Sequence, residues 1–145
     1  MKIGIALPVT KSAFYDANEV IELHLQKSTD VGSVYFSTDN HISPKKASLV
    51  DCVLLVNKNF SYIADLVEYQ NFENKDAPLD AKRFAPEAFK ADKNMHWFKL
   101  SNIVAISNEE LNSFKMDNKI VEAKHHGVGN YIENTGRLQV FYFKQ

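Results

Sequence analysis

Cysteine is nearly absent from this chain of 145 residues, where Cys52 is the only one. A disulfide within the chain is therefore excluded, and a reducing compartment is expected. Cys52 lies in the apolar run Val50–Val56, so we interpret it as a small buried hydrophobe. The N-terminal segment is too short for a signal peptide and no long apolar segment follows it. We therefore expect a cytoplasmic protein with no membrane partner.

An excess of basic residues is also lacking. The chain has 17 Lys and Arg against 18 Asp and Glu, which gives a formal net charge of −1 at pH 7. Strong non-specific binding of nucleic acid depends on Lys and Arg that face phosphates, so this balance counts against it. A local basic face on a near-neutral protein remains compatible with the composition.

Recognisable catalytic and metal-binding motifs are missing too. No Gly-x-Ser-x-Gly, Cys-x-x-Cys or His-x-x-x-His pattern occurs, and the adjacent His125 and His126 would point to opposite faces of a strand. Gly127 and Gly129 lack the spacing of a phosphate loop and indicate a turn. A thiol in an apolar run has a raised pKa and low reactivity. We expect no catalytic residue, metal or cofactor. We therefore favour a binding module over an enzyme, and a small hydrolase or transferase is the enzymatic alternative.

What the sequence does contain suits one globular domain over residues 1–145. The length is close to the commonest domain size, and the hydrophobic fraction of 45% is ordinary for such a domain. The aromatic fraction of 12% is rich. Aromatic side chains fill cores, but they also build stacking surfaces.

The hydrophobic pattern predicts a strand-rich chain with few helices. Apolar, β-branched and aromatic runs predict strands at Ile3–Val9, Val34–Thr38, Val50–Val56, Phe60–Phe72, His96–Ile106 and Leu138–Phe143. A helix capped by Ser12 or Asp16 should end before Gly32, and Ser107 should cap a short helical turn. Residues 73–94 are expected to form a long loop, and 118–134 are mixed. We predict an α+β fold with a curled mixed sheet or partial barrel and a few flanking helices.

Four sequence blocks occur in a suggestive order. They are Val9-Thr10-Lys11-Ser12, Gly32-Ser33-Val34-Tyr35-Phe36-Ser37-Thr38, Val53 to Ala64 and Trp97-Phe98-Lys99-Leu100-Ser101-Asn102-Ile103. This series resembles the YTH and EVE domains of the PUA-like superfamily over roughly Ile3 to Ile106. Those domains have a Lys-Ser pair after the first strand, a Trp-Ser-Thr strand, a Ser-Val-Asn hairpin turn and a later Phe-Lys-Ile strand.

The resemblance implies a partial barrel that holds a flipped, often methylated, base in an aromatic cage. Carried over by position, the base-binding residues would be Lys11, Ser12, Phe36, Ser37, Thr38, Asn40 and Trp97, with Phe84 or Phe89 as a second wall. The chain departs from the family pattern in three places. Phe36 replaces the cage Trp, Ile63 replaces a Gly in the hairpin, and the long loop has no Trp.

Beside the small hydrolase or transferase, two functional hypotheses remain, and the ordered blocks and the aromatic residues make the first of them the leading one. The first is a nucleic-acid-binding module for DNA or RNA carrying a modified base, with phosphate contacts from Lys45, Lys46, Lys82 and Arg83. The second is a protein-interaction module on a PUA-like scaffold that does not bind bases. The net charge of −1 and the missing Trp favour the second.

Overall fold

The computed structural model describes residues 2–71, 77–92 and 95–145 of the chain. Its strands are β1 (Ile3–Pro8), β2 (Val34–Thr38), β3 (Val50–Val56), β4 (Ser61–Asn71), β5 (His96–Ala105), β6 (Lys115–Met116) and β7 (Phe141–Lys144). Its helices are α1 (Ala17–Val31), α2 (Ala81–Phe84), α3 (Asn108–Leu111), α4 (Lys119–His125) and α5 (Val128–Asn134). An α+β fold is therefore confirmed.

Local sequence signals fix the ends of two helices as predicted. Asp16 begins α1 with a reciprocal capping box to Glu19, and Gly32 ends it in the left-handed conformation at φ 86°. A second capping box between Ser107 and Glu110 begins α3. These hydrogen bonds satisfy backbone groups that the first helical turn leaves without intrahelical partners.

All seven strands form one mixed sheet in the order β2-β5-β4-β3-β1-β7-β6. The β3–β4 hairpin is antiparallel, as predicted, whereas β1 pairs in parallel with β3 and antiparallel with β7. The central strand β3 is buried at every position except Asp51. The sheet is not closed into a barrel, since β2 and β6 remain at its edges.

The largest core cluster joins the two halves of the sheet through α1. It contains Leu7 from β1, Ile21 from α1, Phe36 from β2 and Phe98 from β5, all buried. Strands β1 and β2 are separated by three others in the sheet order, yet both line this cluster. Their carboxyl ends consequently approach each other beside α1, which is where a cavity opens.

The face of the sheet opposite α1 is covered by the shorter helices. Cys52 belongs to a second cluster with Phe143 and with Ile132 of α5, so its prediction as a buried hydrophobe is confirmed. Trp97 belongs to a third cluster, with Tyr35 and with Ala81 of α2. Both residues therefore face away from the α1 side of the sheet.

Several predicted boundaries were wrong. Strand β7 begins at Phe141 instead of Leu138, and the mixed segment 118–134 folds into α4 and α5. The expected loop 73–94 contains α2, while residues 73–76 and 93–94 lie outside the described part of the chain. Over the described ranges, no helix is both long enough and apolar enough to cross a membrane.

Candidate functional site

A cavity of about 270 Å³, which we name the α1 cavity, opens where the ends of β1 and β2 meet α1. Thirteen of the described residues line it: Pro8, Thr10, Lys11, Ser12, Val20, His24, Phe36, Ser37, Thr38, Asp39, Phe89, Asp92 and Met95. They come from the segment after β1, from α1, from the end of β2 and from the segment before β5. The cavity is thus assembled from parts of the chain that are distant in sequence.

The segment between β1 and α1 is held by a short hydrogen-bonded turn. The Ser12 amide donates to the Tyr15 carbonyl at 2.8 Å, and the Ser12 hydroxyl accepts from the Tyr15 amide at 3.2 Å. The capped start of α1 at Asp16 follows directly. This turn places Lys11 and Ser12 at the cavity mouth.

Three rings form a continuous aromatic wall. The imidazole of His24 is stacked on Phe89 at a centroid distance of 5.4 Å, with 18° between the planes. It also contacts Phe36 at 5.1 Å with a tilt of 54°. Tyr15 supports Phe89 from outside in an edge contact at 6.3 Å. Because His24 touches both phenyl rings, the three residues make one surface.

The protonation state of His24 follows from its surroundings. Its Nδ1 lies 2.7 Å from the Val20 carbonyl oxygen, which can only accept, so Nδ1 carries the proton. Burial lowers the pKa of His24 from 6.5 to about 4, and the bond to Val20 opposes this only in part. At neutral pH the ring is therefore uncharged, with a lone pair on Nε2.

A carboxylate lies on the same cavity surface. The hydroxyl of Ser37 donates to Oδ2 of Asp92 at 3.0 Å. Burial raises the pKa of Asp92 above its usual value, and the Ser37 hydrogen bond opposes the rise. Asp39 adds a second, exposed carboxylate and Lys11 an exposed ammonium group. With His24 neutral, the described part of the lining has two carboxylates, Asp39 and Asp92, against one ammonium group, Lys11.

Six of the predicted base-binding residues meet at this cavity: Lys11, Ser12, Phe36, Ser37, Thr38 and Phe89. Asn40 lies just outside and donates from its amide and its side chain to the Thr38 hydroxyl, both at 3.2 Å. Its part is therefore to fix the end of β2. Of the two loop phenylalanines proposed as a second wall, Phe89 is the one that lies here.

Trp97 and Phe84 lie on the other face of the β2–β5 pair. Trp97 is 1% exposed and meets Tyr35 edge-on at 5.8 Å, and no described residue accepts from its indole nitrogen. Phe84 lies under the ammonium group of Lys99, which is 3.8 Å from the ring centroid. Neither residue lines the cavity.

The four predicted phosphate contacts are scattered around the molecule. Lys45 and Lys82 are exposed, and Arg83 is stacked over its neighbour Phe84 at 5.0 Å. Lys46 pairs with Asp117 and lies 4.5 Å from the centre of the Tyr142 ring. None of the four lines the α1 cavity.

A second, basic cavity of about 290 Å³ adjoins that Lys46–Asp117 pair. It is lined by Lys115, Met116, Lys119, Glu122, Ala123, His126 and Lys144. Lys144 also pairs with Asp117 at 3.8 Å. Sequence analysis missed this cluster, because its lysines come from α4 and two paired strands whose proximity depends on the β6–β7 pairing.

His24 and Asp92 were also missed as site residues. In the sequence, His24 falls at helical spacing with Val20 and Ile21, and an imidazole among apolar residues was the available signal. Asp92 had no signal, since it lies in the segment that gave no periodic pattern. Among the described residues, no group of three or more His, Cys, Asp or Glu is arranged to hold a metal ion.

Comparison with family models, with curated proteins and with solved structures gave no match. The resemblance to YTH and EVE domains accordingly stays a prediction. The residues that line the α1 cavity are the basis for a proposal of function.

Proposed function

We propose that this domain binds nucleic acid by holding one extruded nucleobase in the α1 cavity. The observation that carries this proposal is the pair of phenyl rings of Phe36 and Phe89, both in contact with His24, beside the hydroxyl groups of Ser12 and Ser37. A planar base needs an apolar face to stack on and polar groups at its edge, and this surface offers both.

The size of the cavity favours a small planar ligand. Pockets for drug-sized ligands span about 300–1,000 Å³, and this one, at about 270 Å³, lies just below that range. One base fits such a volume better than a peptide segment or a dinucleotide. The exposed Lys11, which lines the cavity, would contact the phosphate of the same nucleotide.

The energetics are compatible with such binding. Extruding a base from a stack costs a few kcal/mol, least where the strand is already single. Stacking on aromatic side chains returns about 1–3 kcal/mol per base. Lys11 is the one lysine among the described lining residues, so these contribute little additional free energy through phosphates, and single-stranded nucleic acid is the preferred form of the ligand.

The alternative, a protein-interaction module without base binding, has less support. It would be favoured by a filled cavity and a contiguous exposed apolar patch. The cavity is open, and the most exposed large apolar side chains in the described part of the chain, Phe14, Leu79 and Ile120, belong to different segments. Isolated apolar residues of this kind are normal on protein surfaces.

Fluorescence-anisotropy titration with short oligonucleotides tests the proposal. Single-stranded and duplex ligands, with and without methylated bases, are titrated at two salt concentrations. The variant Phe36→Leu keeps an apolar side chain of similar volume but removes the ring. Phe84→Leu is the matched control, because it makes the same change on the other face of the sheet.

We expect micromolar binding that weakens with salt and falls about tenfold or more in Phe36→Leu, in line with the loss of one stacking contact. Phe84→Leu should bind as the wild type does. Absence of binding to every ligand, or equal losses in the two variants, would contradict the proposal.

A further inference from the structure

The polar lining of the cavity indicates which base edge it accepts. We propose that the α1 cavity selects bases that carry an exocyclic amino group, so that guanine, adenine and cytosine bind and thymine and uracil are rejected. This inference rests on the proposed function, since it concerns the ligand of the same cavity. It is carried by the hydrogen-bonding roles of His24 and Asp92.

The imidazole of His24 can only accept from a ligand. Its Nδ1 proton is committed to the Val20 carbonyl at 2.7 Å, and the ring contacts Phe36 and Phe89 hold its orientation. Among the described residues, Val20 provides its one hydrogen bond. The Nε2 lone pair is therefore available to a donor on the ligand.

The carboxylate of Asp92 is a second acceptor with spare capacity. An ionised carboxylate has about four lone-pair sites, and the Ser37 hydroxyl occupies one of them, on Oδ2. No ion pair between Asp92 and a described Lys or Arg is present. A half-buried carboxylate that has no counter-ion among residues 2–71, 77–92 and 95–145 favours a ligand that donates hydrogen bonds to it.

These two acceptors discriminate between base edges. The Watson–Crick edges of thymine and uracil place two carbonyl oxygens on either side of one N–H group. If such an edge faced His24 and Asp92, the lone pairs of its carbonyl oxygens would lie against those of the two side chains. Both side-chain acceptors would then lack a hydrogen-bond donor. Guanine, adenine and cytosine each offer an amino group instead. Loss of a single hydrogen bond to a charged acceptor typically reduces affinity about tenfold.

The test uses an oligothymidylate in which one central base is guanine, hypoxanthine, adenine, cytosine or thymine, and the corresponding oligouridylates. Guanine and hypoxanthine differ only by the exocyclic amino group, so this pair isolates its effect. Binding is measured for the wild type and for Asp92→Asn, which keeps the side-chain shape but replaces one acceptor oxygen by a donor. Asp51→Asn, on the exposed position of β3, makes the same charge change elsewhere.

We expect the wild type and Asp51→Asn to bind the guanine strand about tenfold more tightly than the hypoxanthine and all-thymine strands. In Asp92→Asn this ratio should fall towards one. Equal affinity of the wild type for the guanine, hypoxanthine and thymine strands, with binding still lost in Phe36→Leu, would overturn the inference and leave the proposed function standing. Absence of binding to every strand would overturn both.

Discussion

Burial of a neutral His24 makes the stability of the fold depend on pH in a defined window. The pKa of His24 is about 4 in the folded protein, against 6.5 for an unperturbed histidine. Between these values the unfolded state binds more protons than the folded state. The free energy of unfolding should therefore be highest above pH 6.5 and fall as the pH decreases towards 4.

The size of the effect follows from the same two values. A pKa difference of one unit corresponds to about 1.4 kcal/mol. Protonation of His24 in the unfolded state therefore lowers the free energy of unfolding by up to about 3 kcal/mol. Between pH 7 and pH 5 the expected loss is about 2 kcal/mol. This is a measurable part of the 5–15 kcal/mol that is typical of a folded domain.

Comparison with the variant His24→Phe separates this contribution from those of other groups. The variant keeps an aromatic ring against Phe36 and Phe89 but does not titrate. Burial raises the pKa of Asp92, so this group stabilises the folded state as the pH falls. Asp92 is present in both proteins, and its contribution cancels when their free energies of unfolding are compared. Asp39 and Lys11, which line the same cavity, cancel likewise.

Urea unfolding at pH 7, 6, 5 and 4 provides the assay, with the fluorescence of the buried Trp97 as the signal. The stability difference between wild type and His24→Phe should shift by about 2 kcal/mol in favour of the variant from pH 7 to pH 5. Parallel pH profiles for the two proteins would refute a neutral buried imidazole.

Two further predictions concern the packing behind the sheet. A Cβ at Gly129 would lie 1.8 Å from the Asn108 carbonyl oxygen, so Gly129→Ala should separate α5 from α3 and cost about 1–3 kcal/mol in urea unfolding. A Cβ at Gly136 would have nothing within 4 Å, so the control variant Gly136→Ala should change the free energy of unfolding by less than about 0.5 kcal/mol. Equal effects of the two substitutions would contradict the packing of α3 on α5. Burial raises the pKa of Cys52 to about 12, so an aromatic disulfide reagent should modify this thiol only when the protein is unfolded in urea. Rapid labelling of the native protein at pH 8 would show that Cys52 is accessible.

Local sequence signals were enough to locate most of the strands and the start of α1. The apolar runs at Val34–Thr38 and Val50–Val56 match β2 and β3 in full, and the capping boxes mark α1 and α3. Helices α4 and α5 were missed because each has seven residues. Such a segment is too short to show a helical period, and tertiary packing decides its conformation.

The site was predictable only where the ordered blocks led to it. Phe36, Ser37 and the Lys11–Ser12 pair were predicted by the resemblance to YTH and EVE domains, and they line one cavity. The part played by His24 depends on contacts with Phe36 and Phe89, which no spacing in the sequence reveals. Three strands lie between β1 and β2 in the sheet, and the packing of both against α1 is a long-range property of the fold.

An NMR titration of the isotope-labelled protein with a single-stranded oligonucleotide shows directly which residues the nucleic acid contacts. If one base enters the α1 cavity, the backbone amide signals of Ser12, Ser37 and Thr38 should shift together and saturate at one dissociation constant. The amides of Lys115, Lys119 and Lys144 at the basic cavity should shift less. Large shifts confined to those three lysines, with Ser12, Ser37 and Thr38 unchanged, would show that the nucleic acid binds elsewhere and would contradict the account.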